Sequence, residues 1–177
     1  MSSFALLGVP EPLCNALARR GIDEPFPIQA ATLPDALAGR DVAGKAPTGS
    51  GKTLAFGLAV AARSLGGARA KPRRPRALVL VPTRELAAQV QRELGHLVPR
   101  EAGPVTAIYG GVGYGPQRSA LVSGANTVVA CPGRLEDLLR HVLGERLPAD
   151  RSRAGGLPPG RQRLRQRRDR GTDSCPP

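Results

Sequence analysis

The residues with the clearest chemistry form one segment, Ala46-Pro47-Thr48-Gly49-Ser50-Gly51-Lys52-Thr53. It fits the phosphate-binding pattern G-x-x-x-x-G-K-[ST], except that an alanine replaces the first glycine. Small residues let successive backbone N–H groups curve around phosphate oxygens, and the N-terminus of a following helix adds partial positive charge. In such a loop the lysine reaches the β- and γ-phosphates and the threonine hydroxyl holds Mg²⁺. We therefore predict that ATP-like phosphates contact Ala46, Thr48, Gly49, Ser50 and Gly51, with Lys52 and Thr53 as the candidate catalytic residues and Thr53 as the metal ligand.

Alternating strands and helices are predicted to position this loop. Asp41-Val42-Ala43 predicts a strand that leads into the loop, and a helix is predicted from Lys52 to Leu65. The continuous apolar run from Ala77 to Val81 is typical of a strand buried on both faces. Further strands are predicted at 105–109 and 127–130, and further helices at 83–98, 117–122 and 133–142. This order predicts an α/β fold with a parallel sheet and helices on both faces.

Composition sets the broad class of protein. The 177 residues suit one domain, and 41% hydrophobic content with only 3% aromatic residues predicts a core of Ala, Val and Leu. A formal net charge of +12 favours a polyanion such as nucleic acid as partner. Six basic residues and no acidic residue lie between Arg63 and Arg76, and residues 151–177 hold eight arginines, so the excess charge is confined to two segments.

Several classes of protein are excluded by what the sequence lacks. Cys14, Cys131 and Cys175 show no C-x-x-C spacing, and there are two histidines, so a zinc site or a disulfide framework is not expected. No apolar run approaches the roughly 20 residues of a spanning helix, and the N-terminus has no basic signal-peptide region. We expect a cytoplasmic protein with no membrane partner.

The N-terminal four-fifths of the chain resembles the DEAD-box RNA helicases. Residues 4–29, with Phe4, Gly21-Ile22 and Glu24-Pro25-Phe26-Pro27-Ile28-Gln29, are similar to the Q motif of that family. The alanine at the start of the phosphate loop is the family's own variant. Residues 82–87 resemble motif Ia, Gly110-Gly111 the GG motif, and residues 131–134 motif Ib. The resemblance implies a RecA-like P-loop NTPase domain over residues 1–143, partial because later motifs are missing.

The resemblance also implies roles for individual residues. Gln29 is expected to hydrogen-bond the adenine edge of ATP, because an amide both donates and accepts, and Phe4 and Ile22 are expected to pack around the base. A single strand or short duplex of RNA is expected to be bound without sequence preference, since such contacts go to the backbone. The residues expected to line that RNA are Pro82, Thr83, Arg84, Glu85, Gly110, Gly111, Pro132, Gly133 and Arg134.

Each of these motifs has a simpler interpretation when it is taken alone. Gln29 could be a solvated helix residue, Arg84-Glu85 a surface ion pair, and Gly110-Gly111 only a turn. Cys131 stands where the family usually has threonine, so a weaker hydrogen-bond donor faces the phosphate there. The order of five motifs along the chain favours the helicase interpretation over these three.

The family's later motifs do not follow motif Ib in this sequence. After Asp137 the acidic residues are Glu145, Asp150, Asp169 and Asp173, and no two are adjacent, so neither an Asp-Glu-Ala-Asp segment nor a Ser-Ala-Thr motif is present. We therefore expect a fragment that ends before these motifs and the second RecA-like domain, with impaired ATP hydrolysis. Residues 144–177 are expected to be a disordered Arg/Pro/Gly-rich tail, encoded by a shifted reading frame.

Two other functions remain open from the sequence. One is a different P-loop enzyme, such as a small nucleotide kinase, against which the Q-motif residues argue. The other is a non-catalytic basic fragment that binds RNA through charge alone, mainly with Arg161 to Arg170. The sequence indicates neither the RNA substrate nor the oligomeric state.

Overall fold

A computed structural model describes residues 3–146, with side chains up to residue 141, so the predicted tail lies almost entirely outside the described residues. Three strands form within this part of the chain: Ala77–Leu80 (β1), Val105–Ile108 (β2) and Thr127–Ala130 (β3). The helices are Ser3–Leu6 (α1), Glu11–Ala18 (α2), Pro27–Leu37 (α3), Lys52–Ala62 (α4), Arg84–Gly95 (α5), Tyr114–Val122 (α6) and Pro132–Arg146 (α7), and Arg100–Ala102 forms a 3-10 turn.

The strands form a parallel sheet in the order β1-β3-β2. The central strand β3 buries all four of its residues, as expected where helices cover both faces. Val129 packs on one face against Ala87, Val90 and Leu94 of α5. On the other face, Val128 and Ala130 pack with Leu121 of α6 and with Leu135 and Leu138 of α7. The predicted α/β architecture is confirmed. The prediction that the run from Ala77 to Val81 is buried on both faces is wrong, because Leu78 and Leu80 of the edge strand β1 are 52% and 57% exposed.

The first three helices pack against α4 and form the largest apolar cluster. Its fully buried side chains include Phe4, Leu13, Leu17, Leu33 and Leu58. Among the described residues, the buried apolar side chains are Ala, Val and Leu apart from Phe4 and Ile108, as the composition predicts. This cluster fixes α3, which carries Gln29, against α4, which follows the phosphate loop.

The strand predicted to lead into the phosphate loop does not form. Residues 40–47 have no regular secondary structure, and Val42 is 42% exposed. A strand is stabilised by the backbone hydrogen bonds of a neighbouring strand, and none of the three described strands pairs with this segment. The prediction was therefore wrong for these residues, although the helix that follows begins at Lys52 as predicted.

Because the strands are parallel, the sheet has two distinct ends. We call the segments that follow the strands, residues 81–84, 109–113 and 131–134, the carboxyl end of the sheet. We call the segments that precede them, residues 69–76, 99–104 and 123–126, the amino end. In the part of the chain that is described, no helix is both long and apolar enough to span a membrane.

Candidate functional site

The phosphate loop depends on two glycines with left-handed backbone conformations. Gly49 has φ 82° and Gly51 has φ 81°, and Gly51 is the N-cap of α4. A Cβ on Gly51 would overlap the Gln29 amide and lie 2.8 Å from Phe26 Cδ2. Only glycine combines this conformation with so close an approach of neighbouring side chains. The loop therefore reaches the N-terminus of α4 with its backbone exposed to an incoming phosphate.

The Lys52 ammonium group lies inside the phosphate loop. Its Nζ donates hydrogen bonds to the Ala46 carbonyl at 2.5 Å and to the Pro47 carbonyl at 2.6 Å. The Pro47 carbonyl also accepts from Ser50 Oγ at 2.8 Å. Carbonyl oxygens carry only partial charge, so a phosphate oxygen is the stronger partner for an ammonium group. The geometry allows phosphate oxygens to replace these two carbonyls.

Gln29 joins the N-terminal segment to the phosphate loop. Its side chain is fully buried; Oε1 accepts from the Phe26 backbone N–H at 2.9 Å, and Nε2 donates to the Gly51 carbonyl at 3.0 Å. The interpretation of Gln29 as a solvated helix residue is therefore wrong. An adenine contact by this amide stays a prediction, and in this structure the amide holds the N-terminus of α3 against the last glycine of the loop.

The other two residues predicted to surround the base lie in the apolar cluster. Phe4 is 1% exposed and packs with Leu13 and Leu17, and Ile22 is half-buried against the same cluster. The structure does not bring the Phe4 ring to a surface where a base could contact it. The exposed aromatic residue beside the loop is instead Phe26, at 53% exposure. Sequence reasoning missed it, although an aromatic residue between Pro25 and Pro27 was a visible signal.

The residues around the loop fit a nucleotide better than they fit a metal ion on its own. Thr53 is half-buried at the start of α4, and within residues 3–146 no group of three or more His, Cys, Asp or Glu side chains could hold a metal. Mg²⁺ commonly keeps several waters and binds through substrate phosphates. Thr53 would therefore be one protein ligand of an ion that arrives with the phosphates.

A groove of about 440 Å³ runs from the phosphate loop to β1. Its lining includes Lys52 and Thr53 and also Pro82, which follows β1. The remaining lining is mainly apolar and includes Ile28, Val42, Phe56, Val79 and Leu86. The groove connects the phosphate loop to the carboxyl end of the sheet.

Motif Ia and the GG motif meet at the carboxyl end. Thr83 caps α5, because its Oγ1 accepts from the Leu86 backbone N–H at 3.3 Å, and this places Arg84 on the first turn of the helix. Gly111 has φ 83°, and a Cβ on it would lie 3.5 Å from Arg84 Nη1. Gly110-Gly111 is thus a turn, as the simpler interpretation of these glycines proposed. This turn also lies beside the Arg84 guanidinium group.

Motif Ib reaches the same surface through Arg134. Its Nη1 donates to the Val112 carbonyl at 2.7 Å, and its guanidinium carbon lies 4.4 Å from the centre of the Tyr114 ring. Pro132 and Gly133 are exposed beside it. Tyr114 was not predicted as a site residue, because its contact with the Arg134 guanidinium is visible only in the folded chain. Three motifs separated along the chain by 22 and 19 residues therefore form one surface.

Arg84 and Glu85 form the ion pair that the sequence allowed. Arg84 Nε lies 2.6 Å from Glu85 Oε1, and both side chains are about two-thirds exposed (67% and 70%). The hydrogen bond from Arg84 lowers the pKa of the Glu85 carboxyl, and the same bond raises the pKa of Arg84. Glu85 therefore stays ionised and competes with any phosphate for the Arg84 guanidinium.

The chain matches known proteins over most of its length. A family model described as "DEAD/DEAH box helicase" matches residues 26–151. The chloroplastic DEAD-box ATP-dependent RNA helicase 3A of Zea mays is 46% identical over 141 residues, which covers 77% of this chain and 19% of the maize protein. The ATP-dependent RNA helicase RhlB of Xanthomonas oryzae pv. oryzae is 43% identical over 141 residues, covering 78% of this chain and 25% of RhlB. The chain thus spans about a fifth to a quarter of these curated relatives.

Solved structures give the same result for the fold. The RNA helicase Prp28 of Chaetomium thermophilum, crystallised with ADP, superposes with a TM-score of 0.67 at 41% identity. The match covers 77% of this chain and 34% of the Prp28 chain. A DEAD-box protein from Methanococcus jannaschii superposes with a TM-score of 0.66 at 32% identity, covering 81% of this chain and 38% of its own.

Proposed function

Because this chain belongs to the DEAD/DEAH box helicase family, we propose that it binds ATP at its phosphate loop and the backbone of RNA at the carboxyl end of its sheet. The family is enzymatic, and the relatives described above are named ATP-dependent RNA helicases.

One observation carries the RNA part of the proposal: three separate motifs form one exposed surface. Arg84 lies beside Gly111, and Arg134 bonds to the carbonyl of Val112, so two guanidinium groups flank one glycine turn. Guanidinium groups and backbone N–H groups recognise phosphates without reading bases. The exposed Thr83, Gly110, Pro132 and Gly133 extend the same surface. This arrangement supports binding of an RNA strand with no sequence preference.

The nucleotide part rests on the loop and on the residues that support it. In the proposed complex, the loop N–H groups and Lys52 hold the phosphates, and Thr53 holds the Mg²⁺ that the ATP carries. Gln29 is proposed to reach the adenine while its neighbour Phe26 covers one face of the base. Both lie beside Gly51, which supports a base position next to the loop.

We propose that this chain hydrolyses bound ATP slowly on its own. Hydrolysis of ATP needs groups that orient the attacking water and complete the metal site, most often carboxylates. No adjacent pair of acidic residues follows Asp137 in the sequence, and the described residues around the loop bring no acidic cluster to Thr53. Binding assays therefore test the site more directly than turnover.

Replacing Arg84 and Arg134 with glutamine is expected to weaken binding of single-stranded RNA about 25-fold at about 0.1 M salt. Each phosphate contact to a single strand contributes a slope of roughly 0.7 in log affinity against log salt, so two lost contacts lower the slope by about 1.4. The measurement is fluorescence anisotropy of a labelled oligouridine of about 30 nucleotides over a salt series.

The matched control for this variant is Arg40→Gln with Arg140→Gln, which removes the same charge. Both control arginines are exposed and paired with carboxylates, Asp35 and Glu136. Equal affinities and equal salt slopes for the two double variants would contradict RNA binding at the carboxyl end. Arg134 also bonds to the Val112 carbonyl, so its loss could destabilise the fold. Thermal unfolding of both double variants shows whether they remain folded.

Replacing Glu85 with glutamine is expected to strengthen RNA binding about two- to fivefold. The substitution removes the carboxylate that holds Arg84 and repels phosphate, and an exposed ion pair is worth only a small free energy. Glu136→Gln is the control, because Glu136 is similarly exposed and pairs with Arg140 at 3.5 Å. A Glu85→Gln protein that binds RNA no better than the Glu136→Gln protein would show that Arg84 is not limited by its partner.

A further inference from the structure

The segment between α4 and β1 carries a dense positive charge that the proposed ATP and RNA sites do not use. Between positions 63 and 76 it has six basic residues and no acidic residue. All six side chains are exposed, and within residues 3–146 none of them has a salt bridge to an acidic residue. We call this set the basic loop; its members are Arg63, Arg69, Lys71, Arg73, Arg74 and Arg76.

The basic loop is folded against the amino end of the sheet. The Ala70 N–H donates to the Ala102 carbonyl at 3.0 Å, and the Arg76 N–H donates to the Asn126 carbonyl at 2.8 Å. Ala70 is 4% exposed, so the loop is anchored in its middle as well as where β1 begins. Arg69 Nη2 also bonds to the Ser123 carbonyl at 3.2 Å. The cationic side chains therefore project from a fixed backbone.

The tip of the basic loop is a defined turn. The Arg74 N–H donates to the Lys71 carbonyl at 3.0 Å, and the Arg73 N–H donates to the Leu121 carbonyl of α6 at 2.8 Å. Arg73 has φ 59°, the one left-handed residue other than glycine in the described chain. A backbone held in this conformation needs the surrounding hydrogen bonds to maintain it. The turn presents Lys71, Arg73 and Arg74 next to one another.

The basic loop and the carboxyl-end surface lie at opposite ends of the same strands. Four residues of strand separate Arg76 from Val81, a length of roughly 13 Å at about 3.3 Å per residue. Arg100 also lies at the amino end and adds to its positive charge, and it lines a shallow pocket together with Arg69. The acidic residue of that segment is Glu101. One phosphate cannot contact both ends, so the two surfaces are separate.

We propose that the basic loop is a second RNA-binding surface, which holds the phosphate backbone of a strand that extends beyond the carboxyl-end site. Its chemistry suits phosphates, because several arginine and lysine groups project from one turn with no acidic residue among them. RNA is favoured over an acidic protein because the family acts on RNA and the other end of the same sheet carries the first surface. The inference goes beyond the proposed function, which does not use these residues.

Replacing Lys71 and Arg74 with glutamine in the whole 177-residue chain tests this surface. Neither side chain has a described hydrogen bond, so the anchors at Ala70, Arg73 and Arg76 are kept. If each contacts one phosphate, affinity for a single-stranded oligouridine of about 30 nucleotides falls about 25-fold at about 0.1 M salt, and the salt slope falls by about 1.4. Mg-ATP affinity is expected to be unchanged, because neither residue belongs to the phosphate loop or lines the groove beside it.

The Arg40→Gln, Arg140→Gln protein is again the control, since it loses the same net charge elsewhere on the surface. If its affinity and salt slope equal those of the Lys71→Gln, Arg74→Gln protein, the basic loop does not bind RNA. RNA affinity is also measured for the charge-reversed variant Lys71→Glu, Arg74→Glu. If its affinity is unchanged, the proposal is overturned.

Failure of this inference can be distinguished from failure of the proposed function. If only the Lys71→Gln, Arg74→Gln variant loses RNA affinity, the result supports binding by the basic loop and contradicts the carboxyl-end site. Loss in the Arg84→Gln, Arg134→Gln variant alone supports the carboxyl-end site and overturns the basic loop. When both surfaces bind, the variant with all four substitutions loses about 2.8 from the salt slope, because separate phosphate contacts add.

Discussion

Replacing Lys52 with alanine is expected to weaken Mg-ATP binding at least about 100-fold. The Lys52 ammonium already lies among the loop carbonyls of Ala46 and Pro47, where phosphate oxygens are proposed to replace them. A hydrogen bond to a charged group contributes roughly 1.5–3 kcal/mol, and about 2.8 kcal/mol corresponds to 100-fold in affinity. Losing the lysine removes one or two such bonds to phosphate. Isothermal titration calorimetry of the whole chain with Mg-ATP measures the change.

Lys45→Ala is the matched control for this experiment. Lys45 is exposed and lies one residue before the loop, so its loss removes the same charge from the same segment without removing the loop's ammonium group. Thermal unfolding should differ little between the two variants, since the two carbonyls that Lys52 bonds belong to an irregular loop in which Ala46 is half-buried and Pro47 is exposed. Equal Mg-ATP affinity in the two proteins would show that Lys52 does not hold phosphates, and the nucleotide site would have to be abandoned.

Replacing Gln29 with glutamate is expected to lower the free energy of unfolding by about 3 kcal/mol or more and to weaken Mg-ATP binding. The amide of Gln29 donates to the Gly51 carbonyl and accepts from the Phe26 N–H, and the side chain is fully buried. A carboxylate of the same shape keeps the bond from Phe26 but presents an oxygen to the Gly51 carbonyl. That repulsion separates α3 from the loop that binds the phosphates.

Urea unfolding at neutral pH measures this loss, with Gln89→Glu as control. Gln89 is exposed on α5, so the same substitution adds the same charge at a solvated position. Gln29→Met is a second variant that removes both hydrogen bonds without adding charge, and it is expected to cost about 2 kcal/mol. If Gln29→Glu and Gln89→Glu unfold at the same urea concentration, the bond between Gln29 and Gly51 does not hold the loop in place.

These two predictions concern residues that the sequence identified to different degrees. Lys52 is identified by its position at the start of a helix, just after the two glycines of the loop, and the structure places its ammonium group inside that loop. Gln29 is identified only through resemblance, and the residues alone allowed a solvated position. Its burial depends on the packing of α3 against α4, which are joined by a long segment without regular structure.

The sequence by itself determined the features that depend on nearby residues. The strand at Thr127–Ala130 has the predicted bounds, because a short β-branched run flanked by polar residues and a proline has few alternatives. Thr83 caps the helix that follows β1, as a threonine at that position favours, and glycine supplies the left-handed turns of the phosphate loop. The α/β architecture follows from the order of such elements.

Tertiary structure decided the features that depend on contacts between distant segments. Residues 41–43 have a strand-like sequence, but none of the strands within residues 3–146 pairs with them, so they stay irregular. Phe4 looked like a residue beside a base and is buried in the helical cluster, while Phe26 is exposed beside the loop. The parallel direction of β1, β2 and β3 placed the basic loop at one end of the sheet and the three motifs at the other. The sequence records how much charge each segment carries, but the direction in which the strands pair determines which charges share a surface.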